Sequence, residues 1–176
     1  MRKFIYYSVC LLGIVVGCDC SGQRNKQQEN RTGEQIREER VQATRDFLAK
    51  ERESINAYIK ERKLDMKRSG TGLYYQFITD KPGALIKPED DVIFTYSIQM
   101  LSGEVLYTSD ENGPKTLRVD REDEVIGLHE ALKLLSKGDK GRFILPSHLA
   151  YGVAGDQIEV PPMTALVYEI EILEIK

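Results

Sequence analysis

Hydrophobic and polar positions change register several times along this chain. Residues 4–16, FIYYSVCLLGIVV, form an apolar run behind the basic pair Arg2 and Lys3. Residues 18–33 are polar, with almost nothing to bury, and predict a flexible tether. Residues 34–64 contain neither Gly nor Pro and predict a long charged helix. Its apolar positions are sparse, with Leu48, Ile55 and Ile59 keeping one face. That narrow stripe predicts a spacer whose last turns pack on the following domain, in preference to a dimer helix. The run Ser69-Gly70-Thr71-Gly72 breaks the helix. Short alternating segments follow at 73–78, 92–101, 105–108, 117–119, 141–145 and 166–175, and each predicts a strand. Turn residues separate them, at Asp80-Lys81-Pro82-Gly83 and Ser102-Gly103-Glu104. Residues 127–135, GLHEALKLL, place Leu128, Leu132 and Leu135 on one face of a short amphipathic helix. The body is therefore α+β: an antiparallel sheet with one short helix across it, since neither buries its apolar side alone.

Net charge is −3, with 30% charged and 41% hydrophobic residues. Those values allow a core and give no basic excess pointing to nucleic acid. The three cysteines, Cys10, Cys18 and Cys20, all lie in or beside the N-terminal run. No disulfide framework or zinc site is expected in the body. The 4–16 run is too short for the roughly 20 helical residues that cross a bilayer. It ends in Val15-Val16-Gly17-Cys18, which resembles the bacterial lipoprotein signal. The resemblance implies cleavage before Cys18 and lipid on Cys18. An ordinary secretory signal, or an anchor never cut, is the alternative. Cys20 is expected to be an idle thiol. The organisation expected is a signal at 1–17, a tether at 18–33, a charged helix at 34–68 and a domain at 69–176.

The stretch 127–175, GLHEALKLLSKGDKGRFILPSHLAYGVAGDQIEVPPMTALVYEIEILEI, resembles the C-terminal half of FKBP-type peptidyl-prolyl cis–trans isomerases. The stretch VIFTYSIQMLSGEVLY resembles their central hairpin. The lipoprotein signal, the charged helix, GTGLYY and LRVDREDEVIGLHEALKLL together resemble the gliding-motility-associated lipoprotein branch of that family. The family fold implied is a half-wrapped antiparallel sheet with a helix in its concavity and a proline pocket between them.

Position by position, the resemblance implies roles for particular residues. Tyr96 is the pocket-wall tyrosine of the hairpin, and Leu128 the pocket floor. Tyr151 carries the hydroxyl that reaches the peptide carbonyl. Val160 and Leu106 are apolar wall positions, and Tyr168 is the final aromatic. The backbone N–H that holds the substrate falls on Val125, with Ile126 as the alternative register. Tyr107 stands where active members carry an acid, so the acidic residue lining the pocket is expected to be missing. Lys115 occupies another usual aromatic position. Taken locally, Tyr151 could equally plug the end of the core.

The reaction implied needs no metal and no cofactor. An X–Pro bond rotates over a barrier of about 18–20 kcal/mol set by amide resonance. The twisted state is less polar than either planar state, so a dry apolar slot favours it. Neither His129, expected on the wet helix face, nor His148 has a nucleophile partner. The acidic run 120–124 reads as solvated loop, and Pro161-Pro162 as a stiff loop. Two functions fit: an envelope-tethered isomerase acting on proline-containing exported polypeptides, or a catalytically weak binding or chaperone module of an envelope assembly.

Overall fold

The computed structural model describes residues 32–176. The expected signal, Cys10, Cys18, Cys20 and all but the end of the expected tether lie outside these residues.

Helix α1 runs Gly33–Glu61. A capping box opens it: Thr32 N–H donates to Gln35 Oε1 at 3.0 Å, and Gln35 N–H to Thr32 Oγ1 at 3.4 Å. It stops before the expected Leu64. Lys63 sits at φ 53°, Leu64 N–H bonds the Ile59 carbonyl at 3.0 Å, and Lys63 N–H bonds that of Lys60 at 3.2 Å. This is a Schellman stop with lysine, not glycine, in the left-handed position. The chain divides at Thr44 and Arg45, and the compact unit carrying the sheet runs Arg45–Lys176. Residues 33–44 are exposed throughout.

The strands are β1 (Lys67–Arg68), β2 (Tyr74–Thr79), β3 (Asp91–Met100), β4 (Val105–Thr108), β5 (Lys115–Arg118), β6 (Lys140–Leu145) and β7 (Leu166–Ile175). A one-turn helix α2 (Ser109–Asn112) separates β4 from β5, and α3 (Ile126–Leu132) separates β5 from β6. A 3₁₀ turn at Ser147–Leu149 follows β6. The sheet is antiparallel in the order β1-β2-β6-β7-β3-β4, and β5 pairs with the first half of β3. Register shifts opposite Ile93–Phe94 and Ile98–Gln99 mark β-bulges whose extra residues are Leu173 of β7 and Leu106 of β4. This is the α+β, FKBP-like arrangement expected.

Strand alternation sorts the core into two layers. Leu166, Tyr168, Ile170 and Ile172 of β7 join Leu128, Ala131, Leu132 and Leu135, in and just after α3, on the inner face. Val167, with Ile144 and Tyr74, faces outward and packs against Ile55 and Tyr58 of α1. Further along that outer face, no helix among the described residues covers the sheet, and the cross-strand pair Arg142–Glu169 takes over, with Nε to Oε1 at 2.9 Å. The expected helix stripe shifts: Leu48 is 41% exposed, and the buried positions of α1 are Glu51, Ile55 and Tyr58. Glu51 is buried because Ser147 N–H donates to its Oε1 at 2.7 Å. A helix carboxylate thus satisfies a buried donor in the turn after β6.

Asp139 is a second buried carboxylate. It accepts from Lys81 N–H at 2.6 Å, Ser136 N–H at 2.6 Å and Ser136 Oγ at 2.8 Å. Burial alone would raise its pKa. The backbone and hydroxyl donors outweigh burial and hold it below the usual aspartate value.

Two measurements check this packing. Glu51→Ala should lower the urea unfolding free energy by about 1–3 kcal/mol, since Ser147 N–H loses its acceptor, while Glu51→Gln keeps an oxygen there and loses less. Equal losses would contradict the contact. Because folded Asp139 has the lower pKa, its contribution is complete above about 3.9, the unfolded value, and is lost as pH falls through the folded value. Asp139→Asn should therefore be less stable than wild type at pH 7, with the gap narrowing below about pH 4. A gap constant with pH would contradict that assignment.

Candidate functional site

A hollow of about 340 Å³ opens on the inner face beside α3. Alternation along β3 aims Phe94, Tyr96 and Ile98 into it. Ile98 lies opposite Tyr107 of β4 on one side and Tyr168 of β7 on the other, which continues the row across the sheet. Leu128 of α3, 2% exposed, provides the apolar floor. Gly127 permits that approach, because a Cβ there would lie 2.7 Å from the Leu145 side chain and 2.8 Å from the Leu149 carbonyl oxygen. Helix α3 therefore sits hard against the turn that leads to Tyr151.

Tyr151 reaches the hollow from a tightly wound loop. Gly152 N–H returns to the Ser147 carbonyl at 2.8 Å, and Met163 N–H to the Gly152 carbonyl at 2.8 Å. Gly155 holds φ 67°, and a Cβ on it would lie 2.2 Å from the Val160 carbonyl oxygen. Asp156 organises the rest of the loop. Its Oδ1 accepts from Ile158 N–H at 2.9 Å, Glu159 N–H at 3.0 Å and Val160 N–H at 2.7 Å. Its Oδ2 accepts from the Tyr107 hydroxyl at 2.5 Å.

Of the residues singled out from sequence, Tyr96, Tyr107, Leu128, Tyr151 and Tyr168 line the hollow together. The others do not. Leu106 is the extra residue of the β3–β4 bulge and is buried in the core, 8% exposed. Val160 is likewise buried, 3% exposed, and the loop's wall residue is Ile158. Val125 is buried just before α3, while the Ile126 side chain is 68% exposed. The role implied for either concerned a backbone N–H, not a side chain. The expected absence of an acid is corrected: Asp156 brings a carboxylate to the wall from the loop, and Glu124 brings another, paired with Lys115. His129 is also corrected. It is buried, not wet, because Nδ1 accepts from Asp120 N–H at 3.0 Å and Nε2 meets the Glu122 carbonyl at 3.2 Å. It ties the 120–124 loop to α3. His148 contacts the Thr71 carbonyl, away from this hollow.

Phe94 and Ile98 were legible as the positions two before and two after Tyr96 on one strand face. Asp156 and Ile158 were not, since loop geometry carries no period.

Burial pushes the Tyr107 phenol up, reinforced by its bond to Asp156. Burial also raises Tyr151, with help from the Glu124 charge, and raises Tyr168 well above the tyrosine range. The interaction between the two side chains raises Tyr168 further and offsets part of the rise at Tyr151. Burial works against the Asp156 carboxylate, but the Tyr107 hydroxyl and three N–H donors outweigh it and lower its pKa. The two carboxylates at the wall are both engaged, Asp156 by the Tyr107 hydroxyl and three N–H groups and Glu124 by Lys115.

A second hollow, of about 360 Å³, lies between α1 and the Thr71 and Pro146 loops. Arginines 45, 52 and 68 dominate it, and no tyrosine hydroxyl cluster converges there. Among the described residues there is no group of three or more His, Cys, Asp or Glu placed to hold a metal.

A family model for the FKBP-type peptidyl-prolyl cis-trans isomerase matches residues 83–173. The FKBP-type peptidyl-prolyl cis-trans isomerase FkpA of Escherichia coli strain K12 is 34% identical over 132 residues, which are 74% of this chain and 47% of that protein. The macrophage infectivity potentiator of Trypanosoma cruzi is 30% identical over 182 residues, covering 100% of this chain and 87% of that one. The crystal structure of FkpA from Escherichia coli superposes with a TM-score of 0.65 at 30% identity, covering 90% of this chain and 74% of that chain. The chain belongs to the FKBP-type peptidyl-prolyl cis-trans isomerase family. It spans about half the length of Escherichia coli FkpA.

Gly155→Ala should open the 156–160 turn, since the new Cβ collides with backbone at a positive φ. The expected cost exceeds about 1 kcal/mol, and amide exchange at Ile158, Glu159 and Val160 should quicken. Unchanged exchange would contradict the role given to this glycine.

Proposed function

We propose that this protein is a peptidyl-prolyl cis–trans isomerase acting on X–Pro bonds of polypeptides. The observation that carries the proposal is the convergence of Leu128, Phe94, Tyr168 and Tyr151 on one hollow roomy enough to take a prolyl ring in a chain of this family. Rotation about the C–N bond breaks no covalent bond, so the residues need only favour the twisted amide. The apolar floor and strand wall exclude water from the prolyl ring and penalise the more polar planar states. The Tyr151 hydroxyl donates to a peptide carbonyl and holds one half of the substrate while the other turns. Each 1.36 kcal/mol taken from the barrier gives about tenfold in rate.

The proposal extends to place. The Cys18 signal supports a lipid anchor and clients among exported proteins, and the branch resemblance supports a role in an envelope assembly of the gliding or secretion kind. No described helix is long and apolar enough to cross a membrane. The alternative of a weak binding module rested on Tyr107 replacing the acid, and Asp156 now supplies a carboxylate at that wall.

The purified protein should accelerate isomerisation of a proline tetrapeptide. Tyr151→Phe should lower kcat/KM roughly two- to tenfold, the worth of one hydrogen bond. Turnover at the uncatalysed rate would overturn the isomerase reading and leave binding alone. Cys18→Ala should move the protein from the membrane fraction to the soluble fraction of its host, and an unchanged distribution would overturn the lipid anchor.

A further inference from the structure

The mouth of the hollow is built from pieces about 50 residues apart, strand β4 and the 155–160 loop, and a single carboxylate joins them. Asp156 Oδ1 gathers the N–H groups of Ile158, Glu159 and Val160, and Oδ2 takes the Tyr107 proton at 2.5 Å. Gly155 and Gln157, at φ 67° and 65°, set the backbone on either side so that the carboxylate points back toward β4. Four donors occupy both of its oxygens, so it is built to hold structure rather than to take a substrate proton. The Tyr107 proton is committed as well, which turns the phenol ring toward the hollow as a fixed wall. Ile158, which is 83% exposed, still lines the hollow because the turn carries it there.

We propose that Asp156 is a positioning residue for prolyl-peptide recognition: it clamps the 156–160 turn to Tyr107 and so fixes the width of the hollow's mouth. The proposal deepens the isomerase reading and rests on the same site. The clamp acts on substrate capture, so its loss appears mainly in KM. The apolar floor at Leu128 and the Tyr151 hydroxyl remain in place without it, so kcat is largely kept. Asparagine at 156 keeps one oxygen for the three N–H groups but offers the phenol a weaker, neutral acceptor.

The test uses the full protein and four variants: Asp156→Ala, Asp156→Asn, Tyr107→Phe, and the double variant Asp156→Ala with Tyr107→Phe. Hydrogen exchange at Ile158, Glu159 and Val160 reads the clamp without reference to activity. It should quicken strongly in Asp156→Ala and stay near wild type in Asp156→Asn. With a proline tetrapeptide, Asp156→Ala should raise KM about tenfold with kcat within about threefold, and Asp156→Asn should recover most of that loss. Tyr107→Phe should raise KM about two- to fivefold, and the double variant should match Asp156→Ala alone, because the two act through one bond. Effects that multiply, exchange that does not change, or an unaltered KM in Asp156→Ala would each overturn the proposal. If the wild type turns over no substrate, the isomerase reading fails. The clamp is then decided by the tetrapeptide Kd: about tenfold weaker in Asp156→Ala supports it, and equal affinity, or no binding by the wild type, overturns it.

Discussion

The structure turns on a mismatch of lengths. Strands β3 and β7 run ten residues each, about 33 Å of sheet, and their inner face must be kept from water. Helix α3 offers seven residues, about 10 Å of cover. Beneath the helix the face is a packed core of Leu132, Phe143 and Ile170, all fully buried. Beyond it loops complete the cover, and where they stop a hollow remains. The sequence fills that margin with tyrosines, which present an apolar ring to the floor and a hydroxyl at its end. The site is therefore a consequence of the fold's incomplete roof, not an addition to it.

The outer face obeys the same rule in a different way. One patch is apolar, at Tyr74, Ile144 and Val167, and the second half of α1 covers it. The neighbouring stretch is charged and carries its own cross-strand pair. Helix α1 is thus not only a spacer: from Arg45 onward it belongs to the compact unit, and Glu51 reaches the turn that precedes the Tyr151 loop. The same carboxylate logic recurs at Asp139 and Asp156. In each case an acid is held close to backbone N–H groups that the surrounding turns would otherwise leave unpaired.

Much of the fold was legible because its signals are periodic. Alternation located β7 at residues 166–175 and β3 within one residue, and the leucine spacing located α3. Tyr96, Leu128, Tyr151 and Tyr168 were legible through the resemblance of their surrounding blocks. What escaped is aperiodic or chemically disguised. The end of α1 carries lysine at the position where glycine would have announced a stop. Glu51 was passed over because a charged residue on a charged helix gives no sign of burial. The acid at the hollow was sought on the hairpin strand, but a loop places a side chain by its dihedral angles, so Asp156 could be found only in three dimensions. Leu106 was misplaced for a related reason: a one-residue bulge redirects a side chain, and no alternation reveals it.

The central claim is that the hollow beside α3 receives a prolyl ring. Intermolecular NMR contacts from a bound proline peptide test it most directly. The account predicts contacts from the prolyl ring protons to the Leu128 methyl groups and to the rings of Phe94 and Tyr168. Contacts confined instead to Leu48, Ile55 and the arginines of the hollow along α1, with none to Leu128, would contradict it.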